Sequence, residues 1–190
     1  MLDQKDTTIL IIPGLRDHVP EHWQTLLEAR LSAFRSVPPL EKNKLDLAAR
    51  IAAIEKTINA IDGPIIVVAH SGGTIMFAHW AQRHSTEKIQ GALLAVPPDF
   101  EKPLPAGYPT IDEFGQNGWL PVPRAPLPFR SIVTVSENDP LGDIATVSAL
   151  ANEWKSQVVN LGKVGHLNPA SGYGDWPEAD VLIQRLIDEC

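Results

Sequence analysis

The chain is 190 residues long, 44% hydrophobic and carries a formal charge of -7, which suits one domain with a sizeable core and leaves too little for two. Its Lys and Arg residues are dispersed, so the basic patch that nucleic acid or an anionic membrane surface would need is missing. The single cysteine, Cys190, is the last residue and excludes an intramolecular disulfide and a cysteine metal site. The polar opening MLDQKDTT and the shortness of every apolar run argue against a signal peptide and against a membrane span of roughly 18 residues, so the expected compartment is the cytoplasm.

Along the chain, apolar runs rich in β-branched residues alternate with segments of helical period, which predicts an α/β domain around a mainly parallel sheet. Thr8 to Pro13 reads as a strand apolar on both faces, as central parallel strands are, and Pro13-Gly14 ends it. Glu21 to Phe34 places Trp23, Leu26, Leu27, Leu31 and Phe34 on one helical stripe. Ser36 to Leu40 is a candidate short strand containing two prolines, and Leu45 to Ile61 a second helix. Pro64 to Ala69 is a buried strand that runs into a helix over Gly72 to His84, and Gly91 to Val96 is another strand.

Residues 97 to 128 change character: rich in proline, poor in helical period, with aromatics at Phe100, Tyr108, Phe114 and Trp119. A long irregular excursion inside a compact domain is often a lid or a pocket wall, and Phe114 and Trp119 are the candidates to line a hydrophobic substrate pocket. The plainer alternative is a surface loop packed by its own aromatics. Arg130 to Ser136 is the next strand, Asp143 to Trp154 a helix and Gln157 to Leu161 the last strand. A capping box bracketed by Asp175 and Glu178 starts the C-terminal helix.

In parallel α/β sheets ligands bind beyond the C-terminal ends of the strands. Those positions hold Pro13-Gly14-Leu15-Arg16, His70-Ser71-Gly72-Gly73, Asn138-Asp139-Pro140 and Gly165-His166-Leu167-Asn168. Ala69-His70-Ser71-Gly72-Gly73, between a strand and a helix, matches the nucleophile elbow, whose flanking residues are small because strand and helix pass close together. Its geometry aims the Gly72 N–H at the place where an oxyanion would form. The competing role for Ser71 is that of a helix N-cap.

A serine hydroxyl needs a base, and the base an acid to orient it. Ser71, Asp139 and His166 follow three different strands in the chain order Ser, acid, His of α/β-hydrolases. No other histidine fits as well: His79 and His84 lie in the helix after the elbow, His70 points away from Ser71 if the strand alternates, and His18 and His22 precede the first helix. Glu137 is the second choice for the acid, whereas Asp143 suits a helix cap. The second oxyanion donor is expected in the loop after the first strand, from the backbone N–H of Leu15 or Arg16.

The segments PGLRDHVPEHWQ (13 to 24), VVAHSGG (67 to 73), SENDP (136 to 140) and GKVGHLNPASGYGDWP (162 to 177) resemble the small serine hydrolases of the YdeN and retinoblastoma-binding protein 9 type, within the α/β-hydrolase superfamily. The resemblance covers almost the whole chain. It implies a three-layer α/β/α sandwich, a reduced α/β-hydrolase fold with about six mainly parallel strands, over residues 1 to 190 as a single domain. It further implies the triad Ser71, Asp139 and His166, no cofactor or metal, and hydrolysis of a small ester or amide. Two features depart from the pattern: Ala69 replaces the first elbow glycine, and the LxCxE signature is absent, so partner binding through that motif is not expected. A non-catalytic protein that keeps the fold is the competing class. A flavodoxin-like nucleotide binder is disfavoured because neither GxGxxG after a strand nor GxxxxGK[ST] occurs. Trp23 and Trp176 are expected to anchor helices, and Asn168 and Ser171 to satisfy backbone groups around His166.

Overall fold

The computed structural model describes residues 2–189; Cys190, the only thiol, lies outside the described residues. Six strands, β1 (Thr8–Ile12), β2 (Phe34–Ser36), β3 (Ile65–His70), β4 (Ile89–Ala95), β5 (Arg130–Val135) and β6 (Gln157–Asn160), form one sheet in the order β2-β1-β3-β4-β5-β6. Every pairing is parallel. Six helices cover it: α1 (Trp23–Glu28), α2 (Leu47–Asn59), α3 (Gly72–Ala81), α4 (Ile111–Gln116), α5 (Ile144–Glu153) and α6 (Glu178–Asp188).

Because side chains alternate along a strand, the apolar run of each central strand feeds two cores. Ile9, Ile11, Ile66, Val68 and Leu93 pack with Trp23 and Leu27 of α1 and with Ile183, Leu186 and Ile187 of α6. Leu10, Ile12, Val67, Ala92 and Leu94 pack on the other face with apolar residues of α2, α3 and α5. The expected three-layer sandwich follows. Trp23 and Trp176 meet edge to face, ring centroids 4.8 Å apart, and anchor their segments to the sheet.

Three local expectations are corrected. The helix expected over Glu21 to Phe34 spans only Trp23–Glu28, because Phe34 pairs with Ile9 and the Ile9 N–H bonds to Ala33 O at 3.1 Å. Backbone pairing with β1 overrides the helical period there. The strand expected at Ser36 to Leu40 is Phe34–Ser36; its last ladder bond runs from Val37 N–H to Ile11 O, and Pro38 and Pro39 have no N–H to continue it. The capping box at Asp175 and Glu178 is not formed: Pro177 caps α6 without a side-chain bond, and Asp175 instead pairs with Arg30 at 2.6 Å.

The excursion over residues 97 to 128 holds a short helix that its composition concealed. Thr110 and Glu113 form a reciprocal capping box at the start of α4. Phe100, Phe114 and Trp119 pack together in the core, with Phe100 stacked on Phe114 at 4.0 Å. Trp119 Nε1–H donates to Leu45 O at 2.7 Å, and the Trp119 carbonyl accepts from His79 Nε2 at 3.0 Å. The segment is therefore tied into the α2–α3 face of the molecule.

Candidate active site

Ser71 follows β3, at the N-cap position of α3, with φ 54° and ψ -130°, a conformation that non-glycine residues rarely adopt. Close packing dictates the turn. A Cβ on Gly73 would stand 2.5 Å from Ile12 O and 2.7 Å from Pro13 O, and one on Gly14 would stand 3.2 Å from Ser71 Cβ. Ala69 is fully buried and accommodated, so the missing first glycine of the elbow does no harm to the turn. The Ser71 hydroxyl makes no capping bond to α3, which removes the helix-cap reading of this residue.

The hydroxyl lies instead 2.7 Å from His166 Nε2. His166 Nδ1 is 2.8 Å from Asp139 Oδ2 and 3.0 Å from Oδ1, with both side chains almost wholly buried. A carboxylate can only accept, so Nδ1 carries the proton toward Asp139, and Nε2 is left to accept from the Ser71 hydroxyl. Asp139 Oδ1 also accepts from Leu141 N–H at 2.8 Å, which orients the carboxylate. The two alternative acids are engaged elsewhere. Glu137 accepts from Asn160 Nδ2, and Asp143 caps α5 through Thr146 N–H and pairs with Lys102.

The loops carrying Asp139 and His166 brace each other. Asn138 Oδ1 accepts from Gly165 N–H at 2.7 Å, Ser171 Oγ from His166 N–H at 3.0 Å, and Asn168 Oδ1 from Ser171 N–H at 2.9 Å. Asn168 and Ser171 thus satisfy backbone groups as expected. From below, His70 Nε2–H donates to the His166 carbonyl at 3.0 Å. The strand-end reading set His70 aside as a base, and it is indeed no hydrogen-bond partner of Ser71; its contact with the His166 main chain left no mark in the sequence.

The Gly14–Asp17 turn, closed by Asp17 N–H to Gly14 O at 3.1 Å, lies against the elbow. Gly72 is in contact with the Leu15 side chain, a Cβ there standing 3.2 Å from Leu15 Cγ. The backbone N–H groups of Leu15, Arg16 and Gly72 have no acceptor among the described residues. Arg50, reaching across from α2, anchors this turn: its guanidinium is 2.7 Å from Asp17 Oδ1, donates to Leu15 O at 3.3 Å and, through Nε, to Lys44 O at 2.8 Å. Nothing in the spacing of Arg50, 34 residues downstream of Arg16, announces this contact, which exists only once α2 docks on the sheet.

Ser71 and His166 open into a cavity of about 140 Å³ walled by Leu15, Arg16, His22, Phe100, Tyr108 and Leu141 among others. Phe114 and Trp119 are fully buried and do not line it; they stand behind Phe100. The excursion does wall the cavity, but through Phe100 and Tyr108. Sequence could single out these aromatics and not which of them faces inward.

Burial, helped by the neighbouring His166 and His18, pushes His22 down to about 4, and burial drives His70 well below the ordinary histidine range. Both are therefore neutral at pH 7. His22 Nδ1 accepts from Gln24 N–H at 3.2 Å, so its proton resides on Nε2.

The comparisons with known proteins agree with this architecture. The family model described as Serine hydrolase matches residues 9–185, and the chain belongs to that family. Among solved structures, a YdeN-like hydrolase from Pectobacterium atrosepticum is 26% identical with a TM-score of 0.82, the alignment covering 96% of this chain and 91% of that one. The ydeN product of Bacillus subtilis shares the fold at 16% identity and a TM-score of 0.74, covering 96% and 99% of the two chains. An esterase from a Rhodococcus species shares it at 12% identity and 0.66, covering 96% and 90%. A search of curated proteins found no match. No helix among the described residues is long and apolar enough to cross a membrane.

Proposed function

We propose that this serine hydrolase family member cleaves a small ester or amide through an acyl-enzyme, without a metal, using Ser71, His166 and Asp139. The observation that carries the reading is the continuous relay in which His166 touches Ser71 Oγ at 2.7 Å and the buried Asp139 at 2.8 Å.

Ser71 Oγ attacks the substrate carbonyl carbon while His166 Nε2 takes the hydroxyl proton. Asp139 stabilises the resulting imidazolium. The N–H groups of Gly72 and Leu15 receive the oxyanion, a reading supported by the lack of an internal acceptor for either and by the packing of the Leu15 side chain on Gly72 at the elbow. His166 then returns the proton to the leaving alcohol or amine as the carbonyl re-forms. In the second half, a water gives its proton to His166 and attacks the acyl carbon, and Ser71 leaves with the proton. Phe100, Tyr108 and Leu141 supply the apolar wall for the substrate, with Phe114 and Trp119 setting its position from behind.

A fluorophosphonate probe tests this reading. Wild type is expected to be labelled at Ser71, with labelling lost in Ser71→Ala and His166→Ala, and ester turnover by Ser71→Ala is expected to fall by about 10⁴-fold or more. An unlabelled wild type would point to a non-catalytic binding protein, and equal labelling of Ser71→Ala would rule out this serine.

A further inference from the structure

The turn that supplies the Leu15 N–H also places a cation at the cavity mouth. Arg16 lines the cavity with Ser71 and His166 and is exposed. Every other arginine in the chain donates to a carboxylate, a carbonyl or a histidine nitrogen. Arg16 has no such partner among the described residues; its guanidinium sits 5.6 Å from the centre of the ring of Tyr108, a polar residue that the excursion contributes to the cavity wall. A guanidinium resting on an aromatic ring is restrained in orientation and keeps its in-plane N–H fork free.

The surrounding charges do not cancel it. Asp17 also lines the cavity, but its two oxygens are taken by Arg50 at 2.7 Å and Lys44 at 3.1 Å, which leaves that trio with a positive excess. The neighbouring histidine on the wall, His22, is 8% exposed, and its Nε2–H has no acceptor among the described residues. A chain of net charge -7 thus presents unneutralised donors at the cavity into which Ser71 opens, where an entirely apolar ester would leave them unused.

We infer that the substrate carries a carboxylate near the scissile bond and that Arg16 is the residue that selects it. This rests on the serine hydrolase reading of the cavity. The planar fork fits a carboxylate through two parallel N–H···O bonds. Arg16 acts on specificity, while the oxyanion donors of its turn are backbone groups that a side-chain change leaves in place.

The test uses isosteric pairs differing only in charge. On the acyl side these are mono-4-nitrophenyl adipate and its neutral carboxamide analogue; on the leaving-group side, 4-acetoxybenzoate and 4-acetoxybenzamide. In at least one pair the anionic ester is expected to have the higher kcat/KM, and Arg16→Gln to reduce the anionic-to-neutral ratio by about tenfold, the size of a charge-assisted contact on a partly solvated rim. Arg16→Lys is expected to recover part of the ratio. Titrating the same pairs into Ser71→Ala and Ser71→Ala/Arg16→Gln reads the preference as a Kd ratio without any turnover. A ratio that Arg16→Gln leaves unchanged in both pairs, by kinetics and by binding, overturns the inference. If wild type hydrolyses none of the esters, the proposed function fails while the binding ratio still decides the role of Arg16.

Discussion

At the elbow, a Cβ on Gly73 would lie 2.5 Å from the Ile12 carbonyl oxygen, whereas in the excursion Gly115 of α4 has nothing within 4 Å of where its Cβ would be. Both regions wall the same cavity, yet they are fixed in different ways. The elbow is held by close backbone approach where β1, β3 and α3 meet, and a side chain at Gly73 would run into two main-chain carbonyl oxygens. The excursion is held by side chains, Phe100, Phe114 and Trp119, packed on one another and on α2 and α3. Backbone contacts of the first kind admit only certain residues at certain spacings and so leave a motif. Aromatic packing of the second kind admits many arrangements and leaves only a composition.

The sharpest break of this contrast is Gly73→Ala. The added methyl group meets two carbonyl oxygens of the first strand's end, so α3 must shift from β1; a loss of about 3 kcal/mol is expected in urea denaturation, together with most of the ester turnover, because Ser71 moves with the helix. Retained stability and activity would mean that the crossing of strand and helix is looser than described.

A middle-sized effect comes from pH, through the histidines behind the elbow. His22 has a folded value of about 4 against 6.5 in the unfolded chain, so the unfolded state binds the proton first. Its contribution to stability is complete above pH 6.5 and is lost as pH falls toward 4, and the depressed His70 adds to the same trend. His22 steepens the loss by about 1.4 kcal/mol per pH unit across that window. His22→Asn retains a side-chain acceptor for the Gln24 N–H and is expected to flatten the slope by about one proton, measured as urea midpoints from pH 7 to 4.5; an unchanged slope would show that His22 is not buried neutral.

The smallest effect sharpens the comparison from the other side. Gly115→Ala, in a helix and with open space around it, is expected to stabilise by about 0.5–1 kcal/mol in the same denaturation assay, with no change in turnover. Destabilisation would mean that the excursion, too, is constrained by its backbone.

The same distinction explains what could be read from the chain. The strand-end residues Ser71 and Asp139 were legible because each follows an apolar run that reads as a buried strand, and His166 because it follows the last, half-exposed strand; parallel strands deliver their ends to one side of the sheet. Short elements were not: α1 ended early where β2 paired with β1, and α4 was hidden among prolines because a six-residue helix shows less than two turns of period. The inward face of the excursion went to Phe100 and Tyr108 and not to Phe114 and Trp119.

Sequence by itself determined the alternation of strands and helices apart from α4, the elbow and the three residues that meet at it, because these depend on local period and on the steric demand of a tight turn. Tertiary structure alone decided that His70 supports the His166 main chain, that Arg50 pins the Leu15 turn, and that Arg16 is left without a partner. Those contacts join residues 35 and 96 positions apart or depend on a partner's absence, and only docking of the elements brings such groups within hydrogen-bond reach or keeps them out of it.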